Sequence, residues 1–162
     1  MSPPAGRATP VRADVFITNH ALAGAVIGRV VRRPALAFGI GIASHIGMDM
    51  VLHYGREGVA WDEFVELARV DGTIGLGVCA AALLATPRHL RPAVAAGIAG
   101  ACLVDMDKPG RHFVGRSPFP AAFDRFHSRI QNERRAGGLV EGAVALVLVA
   151  ALVPGARARA RP

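Results

Sequence analysis

Five apolar runs occupy most of this 162-residue chain, and they limit the folds it can adopt. Residues of the hydrophobic types make up 52% of the chain and aromatic residues only 6%, a balance that suits membrane helices packed through small side chains. Several runs fall short of the roughly 20 residues of a full crossing, but snorkelling flanks and a thinner bilayer can accommodate them. We therefore expect an all-α integral membrane bundle of about five short transmembrane helices, at residues 15–31, 35–53, 72–86, 92–106 and 137–153.

The two ends of the chain differ in composition from the apolar runs. Residues 1–14 are rich in Pro and polar side chains, and residues 154–162 alternate Arg with small residues. Neither segment offers an apolar face to bury, so both are expected to be disordered tails. Residues 15–153 are expected to form a single transmembrane helical domain in a multi-pass protein of the cell membrane.

One amphipathic segment, 119–135, precedes the last apolar run. On a helix, Phe119, Phe123 and Phe126 fall on one face, and Arg129 lies roughly opposite them. An apolar stripe backed by arginine is typical of a helix that lies in the membrane interface. The fold class therefore includes one interfacial helix in addition to the membrane-spanning ones.

The chain is strongly basic, with a formal charge of +7. In a soluble protein this balance would indicate nucleic acid. Here the arginines stand between apolar runs, so the expected partners are membrane lipids, with anionic headgroups near residues 108–135, and no nucleic acid. Basic residues occur on both sides of the predicted bundle, so its orientation, like its oligomeric state, stays open.

A polar triad ends the second apolar run. His45, Asp49 and His53 are spaced four apart, which keeps all three on one side of a helix. Ionisable side chains in an apolar helix are costly unless the protein uses them. Imidazole and carboxylate are also the common ligands of Zn, Fe and Mn, so the triad predicts part of a metal site.

Small residues recur at spacing four on the helical faces that carry these polar ends. Such faces let helices approach closely. Close approach would gather His20, His45, Asp49, His53 and Asp105 near one edge of the membrane. The small residues are Gly24 and Gly28 in the first run, Ala37 and Gly41 in the second, and Ala93, Gly97 and Ala101 in the fourth.

This set of side chains suits a divalent metal with an open position for water. We expect zinc, with manganese or iron as alternatives, and the ion would convert its bound water into a nucleophile. Asp105 and Asp107 are the expected catalytic pair, as ligand or general base. Pro109 is expected to end the helix there, which frees Asp107 from helical spacing. The predicted metal ligands are His20, His45, Asp49, His53 and His127.

The basic loop beside the predicted site offers groups for substrate binding. Arg111, Arg116 and Arg129 are expected to hold a phosphate, because guanidinium groups bind phosphate oxygens in pairs. His127 lies at the flank of the apolar stripe of 119–135, where it can turn toward the site.

A resemblance is carried by four segments: HALAGAVIG, SHIGMDMVLH, DMDKPGRHFVGRSPFP and FHSRIQ. Together they resemble the small bacterial membrane proteins of the predicted membrane-bound metal-dependent hydrolase family. In the better-known members the Asp-x-Asp and His-Ser steps come before the His-x3-Asp helix. In this chain they follow it, which indicates a sister group. The resemblance implies a metal-dependent hydrolase, and it matches His20, His45 with Asp49, Asp105 with Asp107, and His127 with Ser128.

Three interpretations remain open from the sequence. The first is a metal-dependent membrane hydrolase that acts on a lipid or lipid-linked substrate. The second is a non-enzymatic membrane protein, either a metal carrier or a structural partner. The third is a soluble bundle of buried helices, because apolar runs this short occur in both settings.

Overall fold

The computed structural model describes residues 11–14, 17–59 and 61–153, and over these residues the chain is predominantly helical. Each of the five apolar runs lies largely in a helix, which confirms the helical fold class. The helices are α1 (Ile17–Val31), α2 (Pro34–Met50), α3 (Trp61–Leu84), α4 (Arg91–Leu103), the single turn α5 (Asp107–Pro109), α6 (Ala121–Ile130) and α7 (Gly137–Leu152). Turns of 3-10 helix cover Arg88–Leu90 and Val104–Met106, and a π-helical turn covers Gly110–Val114.

A short antiparallel ribbon joins the N-terminal segment to the loop after α2. Strand β1 (Val11–Asp14) pairs with strand β2 (Gly55–Val59), with Val11 opposite Val59 and Asp14 opposite Gly55. The last four residues of the predicted N-terminal tail are therefore paired backbone, because the loop after α2 supplies a strand partner. Residues 1–10 and 154–162, with the disorder predicted for them, lie outside the described residues.

Helix α4 packs against both α1 and α2, and glycines allow the close approach. A side chain added at Gly24 would place its Cβ 2.5 Å from the main-chain oxygen of Gly97, and the same holds for Gly41. Around these contacts Ala37 and Ala101 are 0% exposed. The predicted small-residue faces are confirmed as the surfaces along which these helices meet.

Two sets of hydrogen bonds attach α3 and α7 to α1. Near the start of α1, Thr18 Oγ1 donates to Asp71 Oδ1 at 2.7 Å, and Asn19 Nδ2 donates to the main-chain oxygen of Glu141 at 3.2 Å. Near its end, Arg29 Nη1 donates to the main-chain oxygen of Leu152 at 2.5 Å. We call the end of the bundle that holds the start of α1 the site end, and the opposite end the Arg29 end.

The amphipathic segment is helical over Ala121–Ile130 only, and not over all of 119–135. The residues after Ile130 instead pair their backbone with the chain that follows α2, and His53 and Glu133 form an isolated parallel bridge. This pairing ends the helix early, because the backbone donors it uses are no longer available to the helix.

Within the described residues, one helical stretch is long and apolar enough to cross a membrane. It covers Val65–Leu84 in α3, whereas Ile17–Val31 and Gly137–Leu152 are apolar but shorter. The fold class is thus established as helical, and the five-crossing arrangement is a proposal taken up below.

Candidate metal centre

The end of α2 supplies the first two side chains of a buried cluster. His45 and Asp49 lie one helical turn apart and are 0% and 4% exposed. His45 Nδ1 lies 2.6 Å from the main-chain oxygen of Ala101, which can only accept, so this nitrogen carries a proton. In a neutral imidazole the other nitrogen, Nε2, then presents a lone pair, and it faces Asp49 Oδ2 at 3.2 Å.

Backbone pairing brings His127 of α6 to the same place. The N–H of Asn132 donates to the main-chain oxygen of Asp49 at 2.9 Å, and the N–H of Arg134 donates to that of His53 at 2.9 Å. These bonds hold the end of α6 against the end of α2. As a result His127 Nε2 lies 3.0 Å from Asp49 Oδ2 and 3.4 Å from His45 Nε2.

Asp105 approaches from the 3-10 turn that follows α4. Its Oδ1 lies 3.8 Å from His45 Nε2 and 3.7 Å from His127 Nε2. The Lys108 ammonium, one turn further on, donates to the same oxygen at 2.8 Å. Asp105 therefore faces the cluster with its charge partly balanced from the outside.

His20 closes the cluster from the start of α1. Its ring stacks on that of His45 with the centroids 3.9 Å apart, and its Nε2 lies 3.5 Å from Asp49 Oδ1. Its Nδ1 is buried and has no hydrogen-bond partner within the described part of the chain. The two oxygens of Asp49 thus face different imidazoles, one toward His20 and the other toward His45 and His127.

Two overlapping groups of three side chains place their donor atoms close enough to share a metal ion. One group is His20, His45 and Asp49, and the other is His45, Asp105 and His127. The five distances given above between His45 Nε2, His127 Nε2, Asp49 Oδ2 and Asp105 Oδ1 run from 3.0 to 3.8 Å. Tetrahedral zinc, with bonds of about 2.0–2.2 Å, needs ligand atoms roughly 3.3–3.6 Å apart. The hydrogen bond from His45 Nδ1 to a main-chain oxygen is also the usual outer contact of a metal-bound histidine. These buried groups can therefore hold a metal ion.

His53 does not join this cluster. It follows the end of α2 at Met50, so the spacing of four no longer keeps it on the face of His45. Its Nδ1 donates to the main-chain oxygen of Val51 at 2.9 Å, and its Nε2 lies 3.9 Å from Glu133 Oε1. The triad predicted from the sequence therefore contributes two cluster residues rather than three.

Asp107 lies behind His127 and not with Asp105. Two residues along a helical turn point to nearly opposite sides, so the Asp-x-Asp pair divides. Asp107 Oδ1 lies 3.8 Å from His127 Nδ1, on the far side of the ring from the cluster. Burial raises the pKa of the Asp107 carboxyl above its ordinary value. Asp107 Oδ1 thus lies near the outer nitrogen of His127, without a hydrogen-bond partner among the described residues, and its catalytic role stays a prediction.

Pro109 does not end the helical path after Asp107. The chain continues through α5 and the π-helical turn, and it leaves them at Gly115 with a left-handed φ of 78°. Proline is tolerated at this point because it stands in the first turn of the segment, where its missing N–H is not needed.

Among the three predicted phosphate-binding arginines, Arg111 is engaged by two carboxylates. Arg111 Nη2 pairs with Asp124 Oδ2 at 2.7 Å, and its Nε lies 3.8 Å from Asp107 Oδ2. Arg116 and Arg129 are exposed, and no ion pair within the described part of the chain joins them to the cluster.

Three groups at the centre were not among the predicted site residues. They are the main-chain oxygen of Ala101, the ammonium of Lys108 and, beside the centre, the carboxyl of Glu141, whose Oε2 is buried without a hydrogen-bond partner among the residues described. A sequence signal existed only for Glu141, which is the single acid in the last apolar run. The other two depend on how α4 and its following turn are placed.

No protein-family model, curated protein or solved structure matches this chain. The case for its chemistry therefore comes from the residues of the cluster.

Proposed function

We propose that this protein is an integral membrane, metal-dependent hydrolase that acts on a lipid or lipid-linked substrate. The observation that carries the proposal is the buried cluster of imidazole and carboxylate groups, in which two overlapping sets of three donors lie close enough to share a metal ion. Membership of the predicted membrane-bound metal-dependent hydrolases is part of the same proposal.

Exposed apolar side chains support the membrane assignment. In α7, Leu139 is 87% and Leu146 is 73% exposed, and in α3 Leu76 is 74% exposed. Only 17% of the apolar stretch Val65–Leu84 is buried, which is low for the core helix of a soluble bundle. Apolar surface of this extent favours contact with lipid. We therefore propose the five apolar helices as membrane segments, with α6 at the interface.

The donor set indicates how the residues would divide the work. His45, His127, Asp49 and Asp105 would hold the ion, and His20 would complete or exchange within the shell. Two nitrogens and two oxygens suit zinc, with manganese or iron as alternatives. A bound ion of this kind lowers the pKa of water so that hydroxide forms near neutral pH. Beside it, Lys108 holds Asp105 in place and contributes positive charge.

Metal analysis of the purified protein tests the proposal. We expect about one zinc, manganese or iron ion per wild-type chain and close to none in the His45→Ala/Asp49→Ala variant, because both lost groups are ligands. His89→Ala is the control, since His89 is exposed in the 3-10 turn Arg88–Leu90 near the Arg29 end of the bundle. Equal and negligible metal in the wild type and the double variant would contradict the proposal.

A metal carrier is the competing function for the same cluster. Carriers place their ion sites near the middle of the membrane, between discontinuous helices. Here the donors lie at or near the ends of helices on one end of the bundle, which favours the hydrolase. Zinc uptake by reconstituted vesicles that depends on His45 would instead identify a carrier.

A further inference from the structure

A pocket opens beside the metal centre, between the start of α1, the end of α2 and α7. Its polar lining residues are Asn19, His20, His53 and Glu141. The rest is mainly apolar and includes Met48, Leu52 and Val144. His20 also belongs to the metal cluster, so whatever occupies the pocket lies next to the centre.

Two residues that line the pocket carry buried polar atoms with no hydrogen-bond partner among the described residues. These are His20 Nδ1 and Glu141 Oε2. Buried polar groups in folded proteins nearly always have partners, so two such atoms on residues that line one pocket indicate a missing ligand or water. The bond from Asn19 Nδ2 to the main-chain oxygen of Glu141 holds this turn of α7 against the start of α1. Glu141 is therefore kept beside His20 at the pocket.

The apolar part of the pocket adjoins the apolar outer surface of α7. Val140 and Val144, one turn apart, line the pocket, whereas Leu139 and Val147 on the same helix are 87% and 68% exposed. An apolar chain can pass from this surface into the pocket without crossing water. Such a path is favoured because exposing apolar surface to water costs free energy.

Charge limits the head group that such a molecule can carry. Glu141 brings a carboxyl to the pocket, and Glu133 lies 3.9 Å from His53, which also lines it. Two carboxyl groups disfavour a phosphate in the pocket itself. An unpaired carboxylate oxygen instead favours a neutral group that donates a hydrogen bond, such as a hydroxyl or an amide N–H.

We propose that this pocket binds a molecule with one long apolar chain and a small, uncharged, hydrogen-bond-donating head, which contacts Glu141. Treating this molecule as the substrate rests on the proposed function. The binding itself does not require the ion.

Photolabelling in lipid vesicles tests the proposal, with a monoacylglycerol that carries a diazirine in its acyl chain as the probe. We expect labels on residues 48–53 and 140–144. Val144→Trp should lower this labelling about tenfold by filling the pocket, because an added indole leaves no room for a chain. Val147→Trp is the matched control on the exposed side of α7 and should leave it unchanged. Detergent size-exclusion profiles and unfolding midpoints show whether both variants are folded.

Competition tests the head group in the same vesicles. Unlabelled monoacylglycerol should displace the probe at least about tenfold better than the corresponding fatty-acid methyl ester, which lacks the donor to the buried carboxylate. Lysophosphatidic acid should also compete more weakly. Labels confined to Leu139, Leu146 and Val147 would overturn the pocket, as would equal labelling of both tryptophan variants. Stronger competition by the methyl ester or the phosphate would overturn the head-group assignment.

The metal content of the same samples separates this inference from the proposed function. Pocket labelling without bound metal would leave the binding site standing and would contradict the hydrolase. Bound metal without pocket labelling would contradict the binding site and would leave the proposed metal centre standing.

Discussion

His45 is the side chain on which the centre most depends. With Nδ1 bonded to Ala101, its Nε2 lone pair faces carboxylates of Asp49 and Asp105, and none of these atoms can donate to another unless a proton is added. Burial of several acceptors together is costly without a shared positive charge. A cation between them, either a metal ion or a second proton on the imidazole, is therefore part of the arrangement.

The Asp107→Asn variant tests whether Asp107 affects metal binding through the ring of His127. We expect Asp107→Asn to weaken metal binding by about 10- to 100-fold, because a neutral amide orients the imidazole less strongly than a carboxylate does. Competition with a chromophoric chelator measures this change in dissociation constant.

Asp124→Asn is the control for that measurement, since Asp124 pairs with Arg111 and accepts from Ser117 outside the cluster. It should bind metal with the affinity of the wild type. Equal dissociation constants for the two variants would show that Asp107 does not act through His127.

Much of the centre could be predicted from residue types alone. His20, His45, Asp49 and Asp105 stand at the ends of apolar runs, where ionisable groups need a reason to be there, and His127 lies at the flank of the apolar stripe of 119–135. The placement of His53 and Asp107 could not be predicted in the same way. It depends on where a helix ends and how the next turn is wound, which residue spacing does not determine.

At the scale of elements, the centre depends on the position of α4 between α1 and α2. The main-chain oxygen of Gly97 lies close to both Gly24 and Gly41. Ala101, one turn beyond Gly97, presents the oxygen that binds His45. The spacing of the helices therefore determines the orientation of a predicted metal ligand.

Two alanine substitutions in α2 test this close packing. We expect Gly41→Ala to lower the free energy of unfolding by about 1–3 kcal/mol, because the new methyl group would lie 2.5 Å from the Gly97 oxygen. Gly47→Ala meets nothing within 4 Å and should be neutral or stabilising by up to about 1 kcal/mol, since alanine is the better helix former.

Thermal unfolding of both variants in the same detergent provides the comparison, and their metal contents show whether the centre moves with the helices. A Gly41→Ala protein as stable as Gly47→Ala would mean that α2 and α4 do not pack as closely as described.

The helices themselves were predictable, and their limits less so. Apolar runs marked five of them, but α3 begins at Trp61 rather than near residue 72. Its first turns carry Glu63, Glu66 and Arg69 among apolar residues, so they do not form an apolar run. A search for apolar runs passes over such a mixed segment. No sequence pattern predicts the backbone pairing of residues 131–134 with the end of α2.

On the scale of the whole molecule, the polar groups are divided between two ends. The cluster, the pocket and the ribbon lie at the site end, whereas Arg29 contacts Thr86 and Leu152 at the other. If the apolar helices cross a membrane, these two ends face opposite compartments.

Single cysteines test this arrangement in a Cys79→Ser/Cys102→Ser background. We expect Arg88→Cys and Arg116→Cys, both at exposed positions, to react with an impermeant maleimide from opposite sides of sealed vesicles. One should be labelled before the vesicles are permeabilised and the other only afterwards. Labelling of both cysteines in intact vesicles would contradict the crossing.

The order of the cluster residues along the chain has a consequence for how the protein is made. His20, His45 and Asp49 emerge from the ribosome first, Asp105 follows, and His127 comes last, after four of the five apolar helices. Domains acquire structure from the N-terminus as they are synthesised. If these helices cross a membrane and the cluster holds an ion, the early helices are inserted while their polar ends are still unmatched, and loading of the ion belongs to the final stage of biogenesis.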